Sequence, residues 1–461
     1  MFRLKFGGYV RELYPEPLEV LAQRLNDIDF CYAVLNKVSR SFAVVIQQLP
    51  KELQDPVCIF YLVLRGLDSV EDDMTFDVKK KVPLLQTFYE KLYVEGWTIT
   101  DVGDSPDYRI LLKYFDKVIR VFDGMDKKYQ AVIADITKRM GCGMAEYATK
   151  TTSIDTVESY NLYCHYVAGL VGHGLSALFS ASGLESPELA SPANHKISNS
   201  MGLFLQKTNI IRDYLEDLHE GRTWWPEEIW SKYANSLDYF AAHPHDPKSI
   251  ACLNHMVTDA LSLVPDCLEY LGKIKDRKIF EFCAIPQVMA MATLELCYNN
   301  IAILQRTSVK IRKGLSCKLM LNASSVTQVH GWFHAFANRL EARVPKNDPN
   351  AKLALQYIAT TKQMTDVECS RMALGPKTLT PTIFKLSHTL AWTTLLISGA
   401  YVMTQCALAR NGGASSSSSS VVASSASNSL ILPRSLVDTS VAVGSMTSLG
   451  FLCGLFGMQY V

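Results

Sequence analysis

Apolar residues along this chain recur at i, i+3 and i+4 in long windows. No stretch alternates apolar and polar residues over several strands. The 25 glycines and 18 prolines are too sparse to punctuate many short strands. The pattern predicts an all-α body over residues 1–370, with no internal repeat of fixed period. Asp55-Pro56 has the form of a helix start, with Asp as N-cap and Pro at the first helical position. Residues 57–64 are apolar on every side, which predicts a helix buried within a bundle. Windows 160–182, 197–219 and 282–304 also read as long helices.

The pattern changes near residue 370. Residues 386–409 hold no Asp, Glu, Lys or Arg across 24 positions, enough to cross a bilayer. A Ser-rich linker follows over 411–429. Residues 439–461 again lack charged side chains across 23 positions and include Gly450-x-x-x-Gly454. Four glycines lower the hydropathy of this second candidate span, so one span or two is left open. Residues 371–461 therefore read as a membrane tail. Lys377 and Lys385, before the first candidate, predict a body on the cytosolic side.

Charge sharpens this division. The whole chain carries 46 Lys+Arg against 45 Asp+Glu, a net +1. The tail holds +4 of this and the body −3. A body so nearly neutral lacks the basic excess of a nucleic-acid binder and the strong acidity of a disordered chain. Twelve cysteines are scattered without a C-x-x-C pair, which predicts reduced thiols in a cytosolic setting. The N-terminus lacks the uninterrupted apolar stretch of a secretory signal.

The clearest chemical signal is a pair of acidic clusters. Asp68-Ser69-Val70-Glu71-Asp72-Asp73 follows the apolar run, and Asp213-Tyr214-Leu215-Glu216-Asp217 follows a second helical window. Each puts carboxylates at i, i+3 and i+4, on one helix face. Such carboxylates repel one another. A hard divalent ion relieves the repulsion, and Mg²⁺ takes carboxylate oxygens together with substrate phosphate. One cluster alone reads best as a solvated face, but two beside apolar helices favour metal and diphosphate. Arg65 and Arg212 adjoin the clusters, Arg40 lies in Ser39-Arg40-Ser41-Phe42, and Lys310-Ile311-Arg312-Lys313-Gly314 adds a basic run. Arginine suits a charge-assisted grip on phosphate. Neither G-x-G-x-x-G nor a P-loop is present, so no Rossmann unit holds a nucleotide. Phenols and small residues in 163–172, and Phe282, Pro286 and Gln287, lie between and beside the clusters, and the small residues leave room beside a helix. Taken singly, each of these residues reads better as packed core; a deep apolar channel ending in metal-bound phosphate would change that.

These motifs, with Gly143-Met144-Ala145-Glu146-Tyr147, residues 201–217, Trp224-Trp225-Pro226 and residues 284–290, resemble the squalene synthases of the squalene/phytoene synthase family over roughly residues 30–330. The resemblance implies an all-α isoprenoid-synthase bundle with a central apolar channel. It also implies head-to-head coupling of two farnesyl diphosphates through presqualene diphosphate to squalene, with Mg²⁺ and NADPH, at the cytosolic face of the endoplasmic reticulum. Carried over by position, Asp68, Glu71 and Asp72 match one Mg²⁺ site, and Asp213 and Asp217 the other. Arg40, Arg65, Arg212, Lys310 and Arg312 match NADPH-linked positions, and Arg40, Arg65, Asn209 and Arg212 the diphosphate side. Tyr163 matches the tyrosine of the first half-reaction, Phe282 and Gln287 residues of the second. A monomeric body is expected. Still open are a phytoene-synthase-like enzyme without reductant, a C30 coupling of altered linkage, and an inactive membrane-tethered isoprenoid binder.

Overall fold

The computed structural model describes residues 16–39, 41–149, 154–307 and 309–374. The regular elements among them are all helices. By contacts the chain separates into two units, Met1–Met372 and Ala373–Val461, and the site lies within the first. The candidate spans 386–409 and 439–461 and the linker 411–429 lie outside the described residues. Within these, one helix, Arg277–Cys297, is long and apolar enough to cross a membrane, but 72% of its most apolar window is buried inside the body. It is a core helix.

The helices that build the site are α1 (Lys51–Asp72), α2 (Lys127–Thr149), α3 (Val157–Cys164), α4 (Leu170–Ser182), α5 (His195–Arg212), α6 (Tyr214–His219) and α7 (Arg277–Cys297). Helix α1 begins earlier than Asp55-Pro56 predicts. Lys51 is its first residue and Pro56 lies inside it. The Asp55 carboxylate caps nothing and instead accepts the Tyr32 hydroxyl at 2.6 Å. Pro56 forfeits one bond, to the carbonyl of Glu52 on an exposed turn, and the helix carries on. Beyond it α1 is buried on nearly every side, as its sequence predicts. The less buried positions are Tyr61, Arg65, Asp68, Glu71 and Asp72. They are spaced i, i+4, i+7, i+10 and i+11, so one narrow stripe is polar and accessible.

The other long windows are interrupted. The window 160–182 comprises α3 and α4 joined by a π-helical turn, His165–Gly169. A residue inserted this way bulges the helix, commonly where function needs a side chain re-aimed. The window 197–219 breaks at Asp213, which ends α5 and precedes α6. The third window ends at Cys297, and Asn299, with φ 52°, turns the chain out of the helix. The small residues Ala168, Gly172 and Gly202 border a cavity, as the sequence suggested. Gly172 and Gly202 also admit a neighbouring helix. A Cβ on Gly172 would stand 2.1 Å from the Ser198 carbonyl oxygen, and one on Gly202 2.1 Å from that of Ala168. Backbone contact of this kind seats α5 directly on the π turn and α4.

Candidate active site

The bundle encloses a cavity of about 270 Å³. Its wall is mostly apolar and includes Phe60, Leu64, Val167, Val171, Leu175 and Phe282. Helix α1 contributes Tyr61, Arg65 and Asp68 from its accessible stripe, and α5 contributes Gly202, Leu205, Gln206 and Asn209 at i, i+3, i+4 and i+7. Two helices thus aim amphipathic faces inward, with charge on their last turns. A second cavity, of about 350 Å³, shares Phe42, Leu205, Asn209 and Pro286 with the first and adds Arg212 and Lys310. Together they resemble ligand sites in being concave and apolar, with few polar groups.

The first acidic cluster crowns α1. Asp68 stands 3.5 Å from Arg65, each side chain about one-quarter exposed. Burial, and then the charge of Asp72, push the Asp68 carboxyl up to about 7 against the pull of Arg65. Glu71 is pushed to about 8, by burial first and then by Asp72 and Asp68. Asp72 is raised too, chiefly by burial, against Arg65 and Arg222. Asp73 belongs to the sequence cluster but not to the site. It is 3% exposed and accepts the Gly103 and Thr75 N–H groups at 2.8 and 2.9 Å and the Thr75 hydroxyl at 2.6 Å. The Arg65 guanidinium lies 5.2 Å from the Tyr108 ring centroid and 5.9 Å from that of Tyr61. Aromatic faces of this kind hold a cation in place while leaving its N–H groups free.

The second cluster straddles the α5–α6 junction. The Asp217 N–H still donates to the Asp213 carbonyl at 2.9 Å, so helical spacing survives the break. Both carboxylates are paired. Arg212 Nε donates to Asp213 Oδ1 at 2.7 Å and its Nη2 to Oδ2. Arg222 donates to Asp217 through Nη2 at 2.9 Å and Nε at 3.2 Å. Burial pushes the Asp217 carboxyl up to about 6, with Arg222 opposing it. Arg222 also acts on Asp72, so the two clusters meet across one guanidinium.

Whether a divalent ion fits rests on this donor set. Among the described residues, no three or more His, Cys, Asp or Glu side chains close on one point. Mg²⁺ does not require that, because it binds through one or two carboxylates and completes its shell with water and substrate phosphate. Carboxyls raised chiefly by burial, some also by acidic neighbours, form a set that a cation relieves. The residues present fit Mg²⁺ held jointly with a diphosphate.

Tyr163 is 5% exposed. Its ring stacks on Trp224 with centroids 4.3 Å apart and meets Tyr147 edge-on at 5.2 Å. Burial, and then Glu71 and Asp72, push its phenol well above the usual range. It lies near the first cluster, outside the lining of either cavity. Phe282 lines the first cavity and meets Phe179 edge-on at 6.0 Å. Gln287 Nε2 donates to the Met201 carbonyl at 2.9 Å, while its buried Oε1 has no partner. Pro286, having no N–H, leaves the Phe282 carbonyl without its helical donor. Helix α7 continues through it.

The structure therefore gathers Arg65, Asp68, Asn209, Phe282 and Gln287 around one cavity, and Asn209, Arg212 and Lys310 around the next. Arg312 is exposed at the start of the Lys313–Leu321 helix and lines neither. Arg40 lies outside the described residues. Sequence reasoning missed Arg222, Tyr108 and Lys81, and placed Trp224 in a motif without a part in the site. The signal for Arg222 was Gly221. In the left-handed conformation, φ 73°, Gly221 turns the chain back after α6, and the Arg222 N–H reaches the Asp217 carbonyl at 2.8 Å.

Comparison with known proteins agrees with this geometry. The family profile described as squalene/phytoene synthase matches residues 35–314. Squalene synthase BSS of Botryococcus braunii is 49% identical over 361 residues, covering 77% of each chain. Squalene synthase of Nicotiana benthamiana is 51% identical over 332 residues, 71% of this chain and 78% of that one. That of Rattus norvegicus is 45% identical over 344 residues, 75% and 81%. The solved complex of TcSQS with the ligand E5700 superposes with a TM-score of 0.72 at 43% identity, covering 74% of this chain and 99% of that one. With a family match over more than half its length, on a bundle that carries both acidic clusters, the chain belongs to the squalene/phytoene synthase family.

Proposed function

We propose that the cavity and its two acidic clusters couple two farnesyl diphosphates head to head, through presqualene diphosphate, to squalene. The chain is an enzyme of the squalene synthase type, supported by 45–51% identity to squalene synthases over most of its length. The observation that carries the reading is one apolar cavity with Arg65, Asp68 and Asn209 in its wall. An allylic diphosphate has this same division, an apolar chain ending in a polyanion.

The residues take the following parts. Asp68, Glu71 and Asp72 would hold Mg²⁺ on one side, and Asp213 and Asp217 on the other. Bound Mg²⁺ would neutralise the leaving diphosphate so that the allylic C–O bond can break. Arg65, Asn209 and Arg212 grip that diphosphate, and Arg40 is assigned there with them. The apolar wall keeps water from the carbocation. Closing the cyclopropane requires loss of a carbon-bound proton, and we assign its passage to Tyr163 Oη, held by the Trp224 stack. Phe282 presents its ring, and Gln287 its unpartnered Oε1, to the cation of the second half. Lys310 and Arg312, with Arg40, Arg65 and Arg212, are assigned to NADPH, which would supply the closing hydride. In keeping with the positive flank at Lys377 and Lys385, the tail would tether a monomeric body to the cytosolic face of the endoplasmic reticulum.

The test is a product assay on the full chain with farnesyl diphosphate and Mg²⁺. Presqualene diphosphate is expected without NADPH and squalene with it. A C30 hydrocarbon of different linkage, or no diphosphate release, overturns the reading. Phe282→Ala should let presqualene diphosphate accumulate in the presence of NADPH. Equal slowing of both halves would remove Phe282 from the second.

A further inference from the structure

The helix that follows α1, Val78–Lys91, opens with three consecutive lysines. Lys79 and Lys80 are exposed, but Lys81 is 5% exposed. Burying an ammonium is costly unless it is hydrogen-bonded and faces negative charge. Lys81 meets both conditions. From the Val78–Lys91 helix its Nζ donates to the Glu71 carbonyl oxygen at 2.8 Å. That carbonyl is among the last four of α1, which have no helical donor of their own. A lysine there also answers the negative end of the helix dipole. Asp73, the next residue after α1, is fixed from the other direction by Gly103 and Thr75. The turn that carries Glu71 and Asp72 is therefore held by two buried polar residues whose charged groups are not themselves in the cavity wall. Burial makes the Lys81 ammonium easier to deprotonate, and Glu71, Asp73 and Asp72 oppose this.

We propose that Lys81 is a positioning residue for the first acidic cluster: by capping the Glu71 carbonyl it fixes the last turn of α1 and so sets how tightly that cluster takes Mg²⁺. This rests on the metal-binding reading of Asp68, Glu71 and Asp72. A merely structural lysine would change stability without changing metal dependence.

The experiment uses the full chain and Mn²⁺ with inorganic pyrophosphate as probe, read by electron paramagnetic resonance, beside the Mg²⁺ dependence of diphosphate release. Lys81→Met keeps the apolar stem and removes the donor. The expected result is a half-saturating metal concentration raised about tenfold. The KM for farnesyl diphosphate at saturating Mg²⁺ should stay within about twofold. Lys81→Arg, which retains a cationic donor, should recover most of the loss. If Lys81→Met fails to fold, Lys81→Gln is measured in the same way. An unchanged metal dependence in the folded variant, while Asp68→Asn loses Mn²⁺, overturns the proposal and leaves the metal site standing. Undiminished Mn²⁺ binding in Asp68→Asn and Glu71→Gln overturns the metal reading itself.

Discussion

The two acidic clusters share a sequence pattern but stand in different electrostatic states. The first ends an unbroken helix, and its three carboxyls are raised chiefly by burial, those of Asp68 and Glu71 also by their acidic neighbours. Arg65 stands 3.5 Å from Asp68. The second sits where two helices meet, and each of its aspartates is already bonded to an arginine. A carboxylate pattern on a helix states where charge can gather. It does not state whether that charge is balanced before the ligand arrives. On the metal reading proposed above, the first cluster would take a cation directly, whereas the second would exchange a guanidinium for one, or share it.

The largest test of this contrast is removal of one carboxylate from each. Asp68→Asn should lower the rate of diphosphate release by about a thousandfold, the scale of several kcal/mol that metal charge stabilisation supplies. Asp213→Asn should do the same, because it also frees Arg212 from its partner. Release of inorganic diphosphate in single turnover measures both. Normal turnover in Asp213→Asn would end the two-cluster account.

Arg222 separates the clusters more finely. It opposes the effect of burial on Asp217, whose carboxyl titrates at about 6 with it in place. Without it, that carboxyl titrates higher. Arg222→Met should therefore lose about tenfold in rate at pH 6.5 and distinctly less at pH 8.5, where a larger share of Asp217 is ionised. A loss independent of pH would mean that Arg222 serves the diphosphate alone and does not tune the carboxylate.

The helices and the carboxylates were legible in sequence because both follow from spacing. The i, i+3, i+4 rule places Asp68, Glu71 and Asp72 on one face, whatever the rest of the fold does. What spacing could not convey was direction. Asp73 adjoins Asp72 yet turns away to the Gly103 and Thr75 donors. Lys81 stands in a run of lysines that reads as solvated. Trp224 was visible as part of a motif, but its stack on Tyr163 joins residues distant in sequence in a way only the packed bundle reveals. The interruptions at Asp213 and at the π turn escaped for another reason. Apolar periodicity continues across both, and it is backbone contact at Gly172 and Gly202, together with the turn at Asp213, that sets the local winding.

The smallest expected effect concerns stability, and it contrasts the clusters most directly. In the folded, metal-free protein Asp68 titrates at about 7, against 3.8 for an unperturbed aspartate. Between those values the folded state binds the extra proton, so this group's contribution to stability falls as pH rises from about 4 to about 7 and stays low above that. Asp68→Asn removes the liability. It should raise the Tm of metal-free protein by a few degrees at pH 8.5 and leave it nearly unchanged at pH 4.5. Mg²⁺ with pyrophosphate should stabilise the unsubstituted protein at pH 8.5 more than the variant. Asp217→Asn should gain less at pH 8.5, because its carboxyl is raised only to about 6 and its loss strands Arg222. Equal gains from the two substitutions, in calorimetry at matched salt, would show that the arginine partners do not distinguish the clusters. A gain confined to Asp68→Asn would show that the first cluster alone is held in wait for its ion.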